Sequence, residues 1–166
     1  MKVDIITMGC SKNLVDSRQL ARLFQNKGIR IYMDPENVHG DVAVVNTCGF
    51  IGDAKEESIN IILQLCDMKD RGELRKLYVM GCLSERYREE LAAEIPQVDI
   101  FYGKFDWKNL AEELSPGAGA AGTQAVGLQP FDGPTYIKIS EGCDRRCAYC
   151  AIPLITGRHV KIGRAH

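Results

Sequence analysis

Short apolar, β-prone runs alternate with segments of helical period from the first residues onward, and this alternation restricts the chain to very few folds. Strand-like runs cover residues 3–8, 29–32, 41–46, 76–80 and 98–102. The segments between them read as helices. The first, from about residue 13 to 27, stops at Gly28, a residue suited to a helix C-terminus. The second starts at Asp53 with Glu56 as a capping-box partner, and Ile59, Ile62, Leu63 and Cys66 form its apolar stripe. Ser84 is placed to cap the third, which Pro96 ends. Asp106 is placed to cap a short fourth, with Trp107, Leu110 and Leu114 on one side. Strands alternating with helices of this length build βαβ units. Residues 1–114 are therefore expected to form one α/β domain, a three-layer parallel sheet covered on both faces.

Beyond residue 114 the composition changes. Residues 115–134 hold five of the sixteen glycines and three of the six prolines, with Asp132 the only charge, which marks a linker. One more strand, residues 135–140, leads into a dense cysteine motif, and sixteen residues follow Cys150. That length cannot complete another domain, so residues 135–166 are expected to be the truncated start of one. A net charge of -1 lacks the basic signature of a nucleic-acid binder. Arg145, Arg146, Arg158, His159, Lys161 and Arg164 form one local basic cluster, equally readable as a solvated face. No apolar run approaches the ~18 residues of a membrane helix, and residues 1–8, with Asp4, do not read as a signal peptide. A cytoplasmic location without a membrane partner is the expectation. There, seven cysteines, an odd number, point to metal ligands or catalytic thiols rather than disulfides.

The seven sort by surroundings. Cys143, Cys147 and Cys150 lie within eight residues of polar loop after a strand, close enough to wrap one metal centre. Three cysteines on a four-iron cluster leave one iron without a protein ligand, open to a chelating amine and carboxylate. The competing reading is zinc, which usually takes four closed ligands; no fourth cysteine is near, and His159 is the available substitute. Cys10, Cys48 and Cys82 share another context, since each follows a strand directly, with Gly9 and Gly81 beside two of them. In a parallel sheet such loops share one edge, where ligands bind. A second metal or cluster site there competes with three unrelated buried thiols. Cys66, on the stripe of the second helix, reads as core.

Cys143-x3-Cys147-x2-Cys150 resembles the signature of the radical S-adenosylmethionine enzymes, with Tyr149 matching the aromatic that commonly precedes the last cysteine. The N-terminal domain resembles that of the radical methylthiotransferases. Gly9-Cys10-Ser11-Lys12-Asn13-Leu14-Val15-Asp16-Ser17, Asn46-Thr47-Cys48-Gly49-Phe50-Ile51 and Glu141-Gly142-Cys143-Asp144-Arg145-Arg146-Cys147 look like the RimO type, which modifies a ribosomal protein. So does Ala151-Ile152-Pro153-Leu154-Ile155-Thr156-Gly157-Arg158-His159. The tRNA-modifying, MiaB-like branch differs in each of these stretches.

The resemblance implies two 4Fe-4S clusters. Cys143, Cys147 and Cys150 would bind the one that chelates S-adenosylmethionine, with Tyr149 near the adenine. Its reductive cleavage, fed by an electron donor, would give a 5′-deoxyadenosyl radical that takes hydrogen from the β-carbon of an aspartate in ribosomal protein S12. Cys10, Cys48 and Cys82 would hold an auxiliary cluster that delivers sulfur, and a second S-adenosylmethionine would supply the methyl group. The chain departs from the family pattern in stopping soon after the motif, with only the first strand and cysteine loop of the radical barrel. Residues 161–166 also do not continue that pattern. This chain alone is therefore expected to be inactive. A tRNA methylthiotransferase and a non-catalytic zinc module are the alternatives.

Overall fold

A strand buried on both faces needs side chains that tolerate burial at every position. Val42-Ala43-Val44-Val45-Asn46-Thr47 meets that demand, all six being buried. This strand, β3 (Val42–Thr47), is the centre of a five-stranded sheet with β1 (Lys2–Thr7), β2 (Arg30–Met33), β4 (Lys76–Gly81) and β5 (Ile100–Phe101). The order is β2-β1-β3-β4-β5, and every neighbouring pair runs parallel. The structure, a computed structural model, describes residues 1–50, 52–114 and 136–162.

Parallel neighbours need crossovers, and these are right-handed. From β1 the chain steps one way to β2; from β3 it steps the other way to β4 and β5. The connecting helices therefore fall on opposite faces. α1 (Ser11–Asn26) and α4 (Trp107–Glu113) cover one face, α2 (Gly52–Asp70) and α3 (Cys82–Glu94) the other. Strand alternation divides the core to match. Val3, Ile5, Val42, Val44, Tyr78 and Met80 pack with Leu20, Phe24 and Leu110. Ala43, Val45, Leu77 and Val79 pack with Ile62, Leu65 and Leu83. Burial of each large apolar side chain contributes about 1.5–3 kcal/mol, so both layers are needed to hold the sheet. The expected α/β fold with a covered parallel sheet is the one observed. Among the described residues no helix is long and apolar enough to cross a membrane.

Helix ends follow local chemistry, with some departures from expectation. Gly28 (φ 74°) closes α1: its N–H donates to the Gln25 carbonyl and that of Ile29 to the Phe24 carbonyl, the Schellman pattern. α2 already includes Gly52, so Asp53 stands in its first turn rather than capping it. Its buried stripe is Ile62, Leu65 and Cys66, while Leu63 is exposed, because one residue of helix turns about 100° away from the core. Ser84 caps nothing. α3 starts earlier, at Cys82 with Gly81 in the cap position, and the Ser84 hydroxyl donates instead to the Tyr102 carbonyl (2.6 Å). α3 also breaks at Tyr87 (φ −127°, ψ 30°) and ends at Glu94, ahead of Pro96. Asp106 does hold the cap position of α4, but its carboxylate turns back to accept from the Gly103 N–H and Arg88.

The C-terminal segment differs most from expectation. Of the strand expected over residues 135–140, residue 135 lies outside the described residues, and among 136–140 only Ser140 belongs to a strand. β6 (Ser140–Glu141) pairs antiparallel with β7 (Val160–Lys161); ahead of it the Ile139 carbonyl still accepts from the Ile162 N–H (3.0 Å), but residues 136–139 are not part of the ladder. Between β6 and β7 lie the cysteine loop and α5 (Ile152–Thr156), which packs on α3 and buries Ile155. The linker expected at 115–134 and the tail at 163–166 lie outside the described residues, as does the Trp107 side chain.

Candidate functional site

A doubly wound sheet opens a crevice at the C-terminal ends of neighbouring strands that send their chains in opposite directions. Here those strands are β1 and β3. Cys10 follows β1 at the cap position of α1, Cys48 follows β3, and Cys82, after β4, is the first residue of α3. The three loops touch. A side chain at Gly9 (φ 98°) would stand 2.6 Å from the Cys48 Cβ and 3.0 Å from its Sγ. One at Gly49 would stand 2.7 Å from the Cys82 carbonyl. Glycine at these positions lets the first loop lie against the second and the second against the third.

Asn13, in the first turn of α1, ties the same loops together. Its amide donates to the carbonyls of Met8 (2.8 Å) and Thr47 (2.9 Å), and its Oδ1 lies 3.9 Å from the Cys82 Sγ. Asn46 in turn donates to the Asn13 carbonyl and the Ser17 hydroxyl. The Ser58 hydroxyl of α2 accepts the Cys48 N–H (3.3 Å). Cys48 and Cys82 are buried, whereas Cys10 is exposed. Burial pushes the Cys82 thiol up to about 11; Lys104 works against that, and Cys48 and Cys10 add to it.

The donor set and the glycine walls fit a centre held by thiolates, which soft metals prefer. The side chains have not adopted ligand geometry: among the described residues no three His, Cys, Asp or Glu stand together as a metal-binding group. What the fold supplies is convergence of the three loops. Cys66 is apart from them, buried with Ile62 and Leu65 in the core between α2 and the sheet, and burial raises its thiol.

The second triad sits on the loop between β6 and β7. Gly142 (φ 74°) turns the chain so tightly that a Cβ there would overlap the Arg158 carbonyl oxygen. The Cys143 N–H donates to the Gly157 carbonyl (3.1 Å), the Cys150 N–H to the Cys147 carbonyl (3.1 Å), and the His159 N–H to Asp144 (3.1 Å). Cys143 and Cys150 are half-buried and Cys147 is exposed. Cys143, Arg146, Arg158 and His159 line one open groove, so part of the basic cluster faces this loop. Tyr149, next to Cys150 in the loop, is 94% exposed.

Charged groups that the sequence reading passed over join the two regions. Lys104, after β5, pairs with Glu141 of β6 (3.0 Å); Lys138 pairs with Glu141 (2.6 Å) and with Asp16 of α1 (2.5 Å). Their side chains are only 2–11% exposed. Burial alone would raise the Glu141 carboxyl, but Lys138 and Lys104 outweigh it and hold it below the ordinary range. Asp16 and Glu141 lie inside the quoted motifs, yet nothing in spacing marks a surface-type residue as buried until the partner segment is placed.

Residues 2–103 match the model of a family described as uncharacterized protein family UPF0004. The chain is also similar to proteins named ribosomal protein uS12 methylthiotransferase RimO. That of Bacteroides thetaiotaomicron is 58% identical over 159 residues, 96% of this chain and 36% of the relative. That of Porphyromonas gingivalis is 56% identical over 158 residues, 95% of this chain and 36% of the relative. That of Cytophaga hutchinsonii is 44% identical over 162 residues, 96% of this chain and 36% of the relative. The chain thus spans little more than a third of the relatives it matches. The match to 2–103 takes in β1 to β5 and all three loops of the first triad, and with it this chain belongs to the UPF0004 family, with RimO-named methylthiotransferases among its relatives.

Proposed function

We propose that this chain is part of a cytoplasmic enzyme that methylthiolates the β-carbon of an aspartate in ribosomal protein S12. In it Cys143, Cys147 and Cys150 hold one 4Fe-4S cluster and Cys10, Cys48 and Cys82 hold a second. The observation that carries the reading is the meeting of the Cys10, Cys48 and Cys82 loops at the β1/β3 crevice, in a chain similar to RimO-named proteins. When bound, the first cluster would pass an electron from an external donor to S-adenosylmethionine, and the second would supply sulfur.

The chain's own part is placement. Three thiols leave a fourth position open at each centre. The helix starts at Cys10 and Cys82 bring backbone N–H groups and a positive dipole end toward the thiolates. The groove beside Cys143 carries Arg146, Arg158 and His159, cations suited to a carboxylate-bearing ligand. Tyr149, exposed beside Cys150, is available to stack on an adenine. The zinc-module alternative needs a fourth ligand at a triad, for which His159, lining the groove with Cys143, is the candidate.

Anaerobic reconstitution of the full chain with iron and sulfide tests the reading. About eight irons per chain are expected. Replacing Cys10, Cys48 and Cys82 by Ala removes half of the iron, and replacing the other triad removes the rest. Zinc bound in place of iron would refute the proposal.

A further inference from the structure

We propose that the ion pairs joining Asp16, Lys138, Glu141 and Lys104 form a clamp that fixes the Cys143 loop at one position on the crevice edge of the sheet. The clamp sets the relative placement of the two cysteine triads, and its significance, though not its geometry, rests on the two-centre reading above.

The geometry is specific. Asp16 is on α1, six residues past Cys10, and Lys104 is on the loop after β5. Lys138 and Glu141 belong to the segment that ends in Cys143. Each carboxylate therefore meets a lysine from the other side of the junction: Asp16 meets Lys138 (2.5 Å), and Glu141 meets Lys104 (3.0 Å). The Lys138–Glu141 pair (2.6 Å) links the two crossing pairs into one chain, and Lys12 adds a weaker contact to Glu141 (3.8 Å). Two cations and two anions balance, as buried charges must. Lys104 and Asp16 also act electrostatically on Cys82, so the clamp reaches the first triad at one end and stands two residues from Cys143 at the other.

Alternative roles are weaker. General surface solubility is excluded by burial. A contribution to the α/β core alone does not account for Lys138 and Glu141, which lie outside it. A second contact supports docking at a fixed position, since α5, just past Cys150, packs on α3, whose first residue is Cys82. Asp16 and Lys104 are thus positioning residues, acting on the loop and touching no reacting atom.

The test measures position directly in the metal-free full chain. Cys10 and Cys147 are exposed and take nitroxide labels, with Cys143 and Cys150 replaced by Ala so that labelling is confined to those two. Pulsed electron resonance then gives the distance distribution between them. One narrow population is expected for the otherwise unaltered chain. Asp16→Asn and Lys104→Met should each add a second, longer-distance population. The charge-balanced pair Asp16→Asn with Lys138→Met guards against simple misfolding, and should also add it. Continued protection of Cys48, Cys66 and Cys82 from thiol reagents shows that the sheet is intact. Unchanged narrow distributions in these variants, with the sheet intact, would overturn the clamp. Loss of the sheet in the balanced pair would overturn it too, by making these residues part of the core. None of these outcomes depends on iron, so a failed reconstitution would sink the two-centre reading and leave the clamp result standing.

Discussion

Asn13 offers the most direct probe of how the three loops of the first triad are held. It is buried, and its amide donates to two carbonyls on two different loops, at 2.8 and 2.9 Å. A typical net hydrogen bond contributes about 1 kcal/mol and a buried group left without its partner costs about 1–3 kcal/mol. Asn13→Ala should therefore cost about 2–4 kcal/mol, a large share of the ~5–15 kcal/mol that holds an ordinary domain. Asn13→Asp is the sharper variant. It keeps the shape but, ionised, has no donor and sets an anion against both carbonyl oxygens. The folded chain then favours the protonated carboxyl, raising its pKa above the unfolded value of about 3.9. A raised folded pKa means stability is retained below the unfolded value and lost as pH climbs through the folded one. The Asp variant should be worse than Ala at pH 7 and recover as pH falls toward 4. Urea unfolding followed by far-ultraviolet circular dichroism, from pH 4 to 8, measures this. An Asp variant as stable as Asn at pH 7, with no added pH dependence, would refute the argument.

Other outcomes follow from the same geometry. Gly9→Ala drives a Cβ into Cys48 and forces a φ of 98° on a side-chain-bearing residue; the metal-free chain should lose about 2–4 kcal/mol and show Cys48 exposed to thiol reagents. Gly142→Ala meets the Arg158 backbone, so the β6–β7 pairing should open, read as faster amide exchange at Cys143 and Val160, while the β1–β5 sheet keeps its protection. With its thiol raised from 9.0 to about 11, Cys82 should carry about 100-fold less thiolate than an ordinary cysteine below pH 9, and alkylate far more slowly than Cys10. By the same shift the folded chain loses stability between pH 9 and 11, and iron assembly on Cys82, which releases its proton, strengthens as pH rises. Cys66→Ala should cost about 1–2 kcal/mol of stability and leave iron content unchanged, since this thiol packs with Ile62 and Leu65 rather than lining the crevice.

Much of this protein can be read from its residues in order. The switch between period-two and helical patterning yields five strands and four helices, because burial of strand faces and helix stripes is written in local spacing. Gly28 ends α1 as a glycine should, and the β-prone run over residues 41–46 yields β3. The position of each cysteine directly after a strand is enough to send Cys10, Cys48 and Cys82 to one edge of a parallel sheet. Ser84 shows where that reading fails: its hydroxyl suits a helix cap, but the Tyr102 carbonyl is a better partner once β5 lies beside α3.

Only the tertiary structure decides that the loops touch, because contact depends on Gly9 and Gly49 meeting side chain and backbone from distant parts of the chain. It alone shows Asn13 as the donor that links them. It alone buries Asp16, Lys104, Lys138 and Glu141, residues whose composition would put them in water. Charges find burial tolerable only when opposite partners arrive together, and those partners are up to 122 positions apart in the chain. Local pattern carries the fold because its energies are local; the junction between the two cysteine regions rests on pairings across the sequence that no local pattern records.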